Sequence, residues 1–383
     1  MLKYSVGLDV SSADIHACFS VIDSQQKVKV ISSKVINNNT KGFEILVTWI
    51  EKNRKLKELP LVIGMEATGI YHEECAYYLH DKSYAVSVIL PNYAKKFLQA
   101  SGLKSKNDKI DAKGLAQMFA ERSFRLWQPL GKFYYQLRGL TRQQESLQEI
   151  KTGIKNQLES ANRGAFKNKD VIKQLNETIK FLEKQVVEIE KKILALLKSN
   201  NEIKKQVENV LTIKGVGIMT LAILLAETNG FLLFTNTRQL VSFSGYDIVE
   251  NQSGRHRGKT KISKKGNGHI RRALFFPAFT AVSNKCKPLL DLYNRIFENH
   301  KIKMKSYVAV QKKLLVLVYT LWKKNVAFTE NYLMENTKEE EQASASLGRL
   351  AQAGTKQGRI QSNYRSMSPL WKSKIIKKFF EFR

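Results

Sequence analysis

The sequence predicts an α/β N-terminal domain, a pair of long helices with a coiled-coil seam, and a smaller, mainly α C-terminal domain. Two observations predict this. Residues 4–9, 14–22 and 27–35 read as three successive strands, and the stretch after them alternates helix with strand. Beyond about residue 133 the apolar spacing changes to three and four residues, the period of a helix face.

The first three strands are bounded by the turns Ser11-Ser12-Ala13-Asp14 and Asp23-Ser24-Gln25-Gln26. Thr40 to about Lys52 reads as a helix with Phe43, Leu46, Val47 and Ile50 on one face. Leu61–Met65 is a buried strand, His72–His80 a helix, Tyr84–Leu90 a strand, Tyr93–Gln99 a short helix, and 108–122 a further helix. A three-strand meander followed by helix, strand, helix, strand, helix is the order of a mixed sheet of the ribonuclease-H type, and it spans residues 1–130. In such a sheet the first and fourth strands are neighbours.

Residues 131–207 form the helical region, with long helices over about 133–165 and 170–210. In the second, Ile172, Leu175, Ile179, Leu182, Val186, Ile189, Ile193 and Leu196 repeat at three and four residues, a coiled-coil seam. A hairpin with the first helix and a contact between chains both satisfy that seam. Residues 208–330 form the C-terminal domain. Gly215 and Gly217, set between two helices, resemble a helix-hairpin-helix turn whose backbone N–H groups reach a phosphate, and a plain tight connection explains them equally. Residues 331–383 read as a Glu-rich, then Ala/Ser/Gln/Gly-rich linker and a basic, aromatic tail.

Charge bounds the function. Among 383 residues, 64 Lys and Arg face 34 Asp and Glu, a net +30. The cations run through every folded region rather than along one amphipathic helix, which points to a nucleic-acid partner over a membrane surface. No apolar run is long enough to span a bilayer, and the first residues enter a strand with no signal-peptide pattern. Cys18, Cys75 and Cys286 are scattered, without metal-ligand spacing. These features predict a reduced, cytoplasmic protein.

Against that charge, four acids stand out. Asp9 ends the first strand, Glu66 ends the fourth, and Asp108 and Asp111 open a helix at a spacing that puts both on one face. Neighbouring first and fourth strands would set Asp9 beside Glu66. Phosphodiester cleavage needs charge neutralised on the attacking and leaving oxygens. A pair of Mg²⁺ ions roughly 4 Å apart does this, and hard divalent ions prefer carboxylate oxygen. Asp108 and Asp111 also suit an ordinary helix N-terminus, and Asp9 an ordinary turn. Glu66, closing an apolar strand, sits where burial is costly.

The segment 243–267 is dense in Gly, Ser and cations. Ser253 precedes Gly254, Arg255, His256 and Arg257, while Ser263 lies among Lys259, Lys261, Lys264 and Lys265, ahead of Arg271 and Arg272. A serine amid cations suits approach to a phosphate, as nucleophile or as a simple hydrogen-bonding grip. Chemistry does not choose between Ser253 and Ser263.

These motifs together resemble the DEDD transposases of bacterial insertion sequences, the IS110 family, whose members are bridge-RNA-guided recombinases. The resemblance covers about residues 4–328. It is carried by Gly7-Leu8-Asp9, Met65-Glu66-Ala67-Thr68-Gly69-Ile70-Tyr71, Lys106-Asn107-Asp108-Lys109-Ile110-Asp111-Ala112, Ile213-Lys214-Gly215-Val216-Gly217, Gln252-Ser253-Gly254 and Lys261-Ile262-Ser263-Lys264-Lys265-Gly266-Asn267. It implies a RuvC-like catalytic domain with Mg²⁺ held by the four acids, and a transposase domain whose Ser253 makes a covalent phosphoserine–DNA intermediate. It further implies a structured guide RNA pairing with donor and target DNA. Dimers would pair into a tetramer, with the acids of one protomer meeting the serine of another. Lys214 stands where the family often has Pro, and the tail beyond residue 335 is longer than the family pattern. The competing functions are a RuvC-like structure-specific nuclease such as a junction resolvase, with no covalent serine step, and a non-catalytic nucleic-acid-binding protein.

Overall fold

The computed structural model describes residues 1–67, 69–101, 107–250, 252–253, 256–258 and 260–329. Arg255, Lys259 and the tail from 331 onward, named above from the sequence, lie outside them. The chain divides into two compact units, Met1–Leu130 and the residues from Gly131 onward.

The first unit is a five-stranded sheet between two helical layers. The strands are β1 (Lys3–Val10), β2 (Asp14–Ile22), β3 (Val28–Asn37), β4 (Leu61–Glu66) and β5 (Val86–Ile89), in spatial order β3-β2-β1-β4-β5. β1–β2 and β2–β3 pair antiparallel, while β1–β4 and β4–β5 pair parallel. The sheet is therefore mixed, and β1 and β4 are neighbours as expected.

Strand alternation assigns the faces. Tyr4, Val6, Leu8 and Val10 point to one side, where they are buried in a core shared with Phe43, Leu46 and Ile50 of α1 (Thr40–Asn53) and Cys75, Ala76 and Leu79 of α2 (Glu73–Asp81). Ser5, Gly7 and Asp9 point to the other side, covered by α4 (Asp108–Glu121), beside α3 (Pro91–Ala100). Two glycines set how closely α4 approaches. A Cβ at Gly7 would lie 2.2 Å from the Ala116 backbone nitrogen, and one at Gly64 would lie 1.9 Å from the Phe119 ring. Gly7 and Gly64 are register partners, so together they make one shallow seat for the helix. Ser5 Oγ fastens it by donating to the Ala116 carbonyl at 2.8 Å.

The second unit is mainly helical. α5 (Lys132–Arg163) and α6 (Lys169–Lys198) form an antiparallel hairpin within the chain, since Gln144 bonds Glu190 and Lys155 bonds Glu183 as the numbering rises on one helix and falls on the other. Ile179, Leu182, Val186 and Ile193 of the predicted seam are buried, Leu182 and Val186 against Leu147 of α5. The helix expected to run to residue 210 instead ends at Lys198. α7 (Asn201–Leu211) begins afresh, because the Asn200 side chain caps it by accepting from the backbone N–H groups of Glu202 and Ile203.

After α7 come α8 (Ile218–Thr228) and α9 (Thr237–Phe243), then a small two-stranded ribbon, and then α10 (Gly268–Ala273), α11 (Phe275–Ser283), α12 (Lys287–His300) and α13 (Lys303–Lys324). The ribbon is built from β6 (Ile248–Val249) paired with β9 (Lys261–Ile262), and β7 (Gln252–Ser253) paired with β8 (His256–Arg257). A buried core of Leu221, Leu224, Leu225, Phe231, Leu314 and Trp322, among others, holds these helices together. No helix among the described residues is long and apolar enough to cross a membrane, and the three cysteines are buried.

Candidate functional site

The acids occupy one corner of the first unit. Leu8 is in register with Met65, so the next residues along the parallel strands, Asp9 and Glu66, end side by side. Gly7 and Gly64 face α4, and alternation turns Asp9 and Glu66 to that same face. α4 runs antiparallel to β1, since Ala112 and Ala116 cover Gly7 while Ala116 receives Ser5. Its N-terminus, with Asp108 and Asp111, therefore lies over the ends of β1 and β4. Asn107 starts the helix there, its side chain accepting from Ile110 N–H at 2.9 Å.

Electrostatics reports the same convergence. The carboxyl of Asp9 is pushed up from an ordinary 3.8 to about 6, first by burial and then by the negative charges of Asp108, Asp111 and Glu66. Repulsion of this kind is relieved by a bound cation. Among the described residues, no three His, Cys, Asp or Glu side chains close around a single point as a metal cage. The donor chemistry fits a hard divalent ion. The four carboxylates stand as neighbours rather than as a contracted shell.

His16 belongs to this corner and carried no motif in the sequence. It is the register partner of Asp9 across β1–β2 and shares its face. Its Nε2 lies 3.8 Å from Asp108 Oδ2 and 3.9 Å from Asp14 Oδ2. The strand alternation of Asp14–Ile22 placed His16 on a face. The identity of that face needed the β1–β2 register.

In the second unit Ser253 is exposed in the ribbon, paired in register with His256. Ser263 is spent elsewhere: its Oγ donates to Asp247 Oδ1 at 2.6 Å and accepts from Lys265 N–H. Lys261, Lys264 and Lys265 are exposed around the ribbon base. Arg257 lies in β8. Arg271 donates to the carbonyls of Ser244 and Asn267, and Arg272 is ion-paired with Glu149 of α5. Both arginines thus support the structure around the ribbon.

Gly215, with φ +100°, adopts a conformation that favours glycine, and a Cβ there would lie 2.8 Å from the Ala281 backbone nitrogen of α11. It is a packing glycine. Gly217 starts α8 with open space where its Cβ would be.

A buried polar clamp, which the sequence did not suggest, joins the ribbon's exit to the helices. Glu227 of α8 receives Arg142 Nε and Nη2 at 2.8 and 3.0 Å and Asn267 Nδ2 at 2.6 Å. Burial works against ionisation of Glu227, but these donors hold its carboxyl below the usual range. His269 pairs with Glu145 on the next turn of α5.

Two family profiles match the chain: a DEDD transposase profile of the IS110 type over residues 6–167, and the Transposase IS116/IS110/IS902 family over 207–294. The pilin gene-inverting proteins of Moraxella bovis and Moraxella lacunata are each 26% identical over 332 residues, covering 86% of this chain and 98% of the relative. Among solved structures, Thermus thermophilus RuvC in complex with a Holliday junction overlaps 31% of this chain and 93% of that chain at 12% identity and a TM-score of 0.24. An Aquifex aeolicus member of the Ppx/GppA family overlaps 88% and 98% at 11% identity and a TM-score of 0.20. Overlaps that loose carry no weight beside the observed strand order. The profile matches and the curated relatives define an enzyme of DNA transposition and recombination. The chain belongs to the IS110 family of transposases.

Proposed function

We propose that the enzyme is an RNA-guided recombinase that cuts and rejoins the DNA of an insertion sequence, with Asp9, Glu66, Asp108 and Asp111 as its Mg²⁺ site and Ser253 as its nucleophile. The observation that carries this reading is the meeting of the β1 and β4 ends under the start of α4, which turns the acids to one face. When bound, Mg²⁺ neutralises charge on the phosphate and its leaving oxygen. The carboxylates hold and orient it. Ser253 Oγ attacks the phosphorus, an Oγ–P bond forms as the P–O3′ bond breaks, and the serine proton passes to the departing 3′-oxygen. A 3′-hydroxyl from the exchanging strand reverses these steps and frees the serine. The exposure of Ser253, against the hydrogen-bonded Ser263, supports that assignment.

The guide RNA, the pairing of dimers into a tetramer, the coiled-coil character of the α5–α6 hairpin and the meeting of acids and serine from different protomers rest on the family resemblance. The +30 charge supports the guide RNA as a second polyanionic partner beside DNA. Two measurements test the reading. A covalent protein–DNA adduct forms with wild type in Mg²⁺ and not with Ser253→Ala; normal strand exchange by Ser253→Ala would leave a RuvC-like nuclease instead. Mixing Asp9→Ala with Ser253→Ala protein restores activity if the site is shared between protomers, and no recovery would overturn the shared site.

A further inference from the structure

Six aromatic rings on α11, α12 and α13 form an unbroken ladder that the proposed chemistry does not use. Phe276 touches Phe275 and Phe275 touches Phe279, with ring centroids 5.3 and 5.0 Å apart. Phe279 stacks on Tyr307 at 3.8 Å, and Tyr307 meets Tyr293 at 4.7 Å. Tyr293 in turn lies parallel to Phe297 at 6.1 Å. The ladder is not a closed core. Phe276 is 75% exposed and Phe275 36%, and the other four rings are only partly buried.

The charge of the segment that carries Tyr293 and Phe297 and leads into α13 indicates what the rings meet. Residues 287–305 carry five cations, Lys287, Arg295, Lys301, Lys303 and Lys305, against Asp291 and Glu298. All five are exposed, and Lys301 Nζ lies 5.8 Å from the Phe297 ring centroid. An exposed apolar patch of this kind marks an interaction site. Protein-binding patches are depleted of lysine at their cores. Lysines among accessible aromatic faces are instead the composition of a single-strand platform, where bases stack on rings and cations follow the phosphates.

We propose that the α11–α13 aromatic ladder binds an unpaired DNA strand, with Phe276 as its outermost stacking ring and Lys303 and Lys305 on the phosphates. DNA is the occupant because it is the substrate of the transposase family to which the chain belongs, and cutting a duplex exposes unpaired strand. The site is independent of the four acids and of Ser253, so it stands or falls apart from their assignment.

The test is fluorescence anisotropy with a labelled oligo-dT 20-mer and with a duplex of the same length, across a salt series, using the full-length protein. Phe276 is so exposed that Phe276→Ala leaves the fold intact, checked by an unchanged Tm. Phe276→Ala weakens oligo-dT binding about tenfold at every salt concentration and leaves duplex binding alone, while Phe276→Trp keeps it. Lys303→Gln with Lys305→Gln flattens the salt dependence by about 1.4 in log–log slope, roughly 0.7 per phosphate contact. The proposal is overturned by unchanged oligo-dT affinity in Phe276→Ala, by an equal loss on duplex, by oligo-U binding more tightly than oligo-dT, or by a self-association of the protein that Phe276→Ala abolishes.

Discussion

At the level of single residues, Asp9, which we propose as a metal ligand, carries a cost in stability. Its folded pKa of about 6 exceeds the ordinary 3.8. Between those values the folded chain holds more protons than the unfolded one, so the metal-free protein loses stability as pH rises from about 4 to about 6, and the loss is complete above that. Asp9→Asn removes the buried charge. In chelator at pH 7.5 it raises stability by about 1–2 kcal/mol, after allowance for partial exposure of the group, with little effect at pH 4. Paired thermal melts at the two pH values read this directly. The same variant loses strand cleavage while salt-dependent DNA binding persists, because lysines and arginines supply most of that affinity. Cleavage retained by Asp9→Asn would refute the metal assignment. The two serines separate in the opposite way. Ser263→Ala gives up its bond to Asp247 and costs about 1 kcal/mol in denaturant titrations, but it still forms the covalent adduct that Ser253→Ala does not.

At the level of elements, α4 and the Glu227 clamp each convert packing into geometry. α4 lies on β1 and β4 only because both carry glycine at its seat. Gly7→Ala puts a methyl into backbone atoms that cannot rotate away, costs about 1–3 kcal/mol or more, and lifts Asp108 and Asp111 off the strand ends. Activity should therefore fall further than stability when cleavage is measured well below the variant's Tm. Cleavage at the wild-type rate in a folded Gly7→Ala protein would show that the helix position does not matter. Glu227 is a buried charge that accepts from Arg142 and Asn267, and its removal takes that acceptor from both. Glu227→Ala is expected to cost about 1–3 kcal/mol by equilibrium unfolding, since it removes the acceptor of the hydrogen bonds from Arg142 and Asn267 while the half-exposed Arg142 turns to water. Glu227→Gln, which keeps the shape, should cost less.

At the level of the whole molecule, the net +30 makes nucleic-acid binding a counterion-release equilibrium. Affinity for random duplex should fall by at least tenfold between 50 and 200 mM salt, roughly the loss for several phosphate contacts, as read by anisotropy. A flat salt dependence would mean that the charge serves another purpose. The sequence by itself determined the parts whose signal is local. The strand meander, the alternation of helix and strand, the two long helices and the placement of the four acids at strand ends and a helix start were legible because residue period and turn chemistry act within a few positions. The break after Lys198 was missed, because the polar run Ser199-Asn200-Asn201 between two helical stretches is a short local signal, decided only by the backbone bonds to the Asn200 side chain. Which groups meet across the chain was decided by tertiary structure. His16 joins Asp9 through strand register, Gly7 and Gly64 seat α4 through close approach, and Ser263 rather than Ser253 is tied down through Asp247. Glu227 finds Arg142 and Asn267 over separations of 85 and 40 residues. No period or motif encodes such pairings. They exist only where separate segments pack on one another, and the same packing assembles the aromatic ladder and turns the acids to a common face.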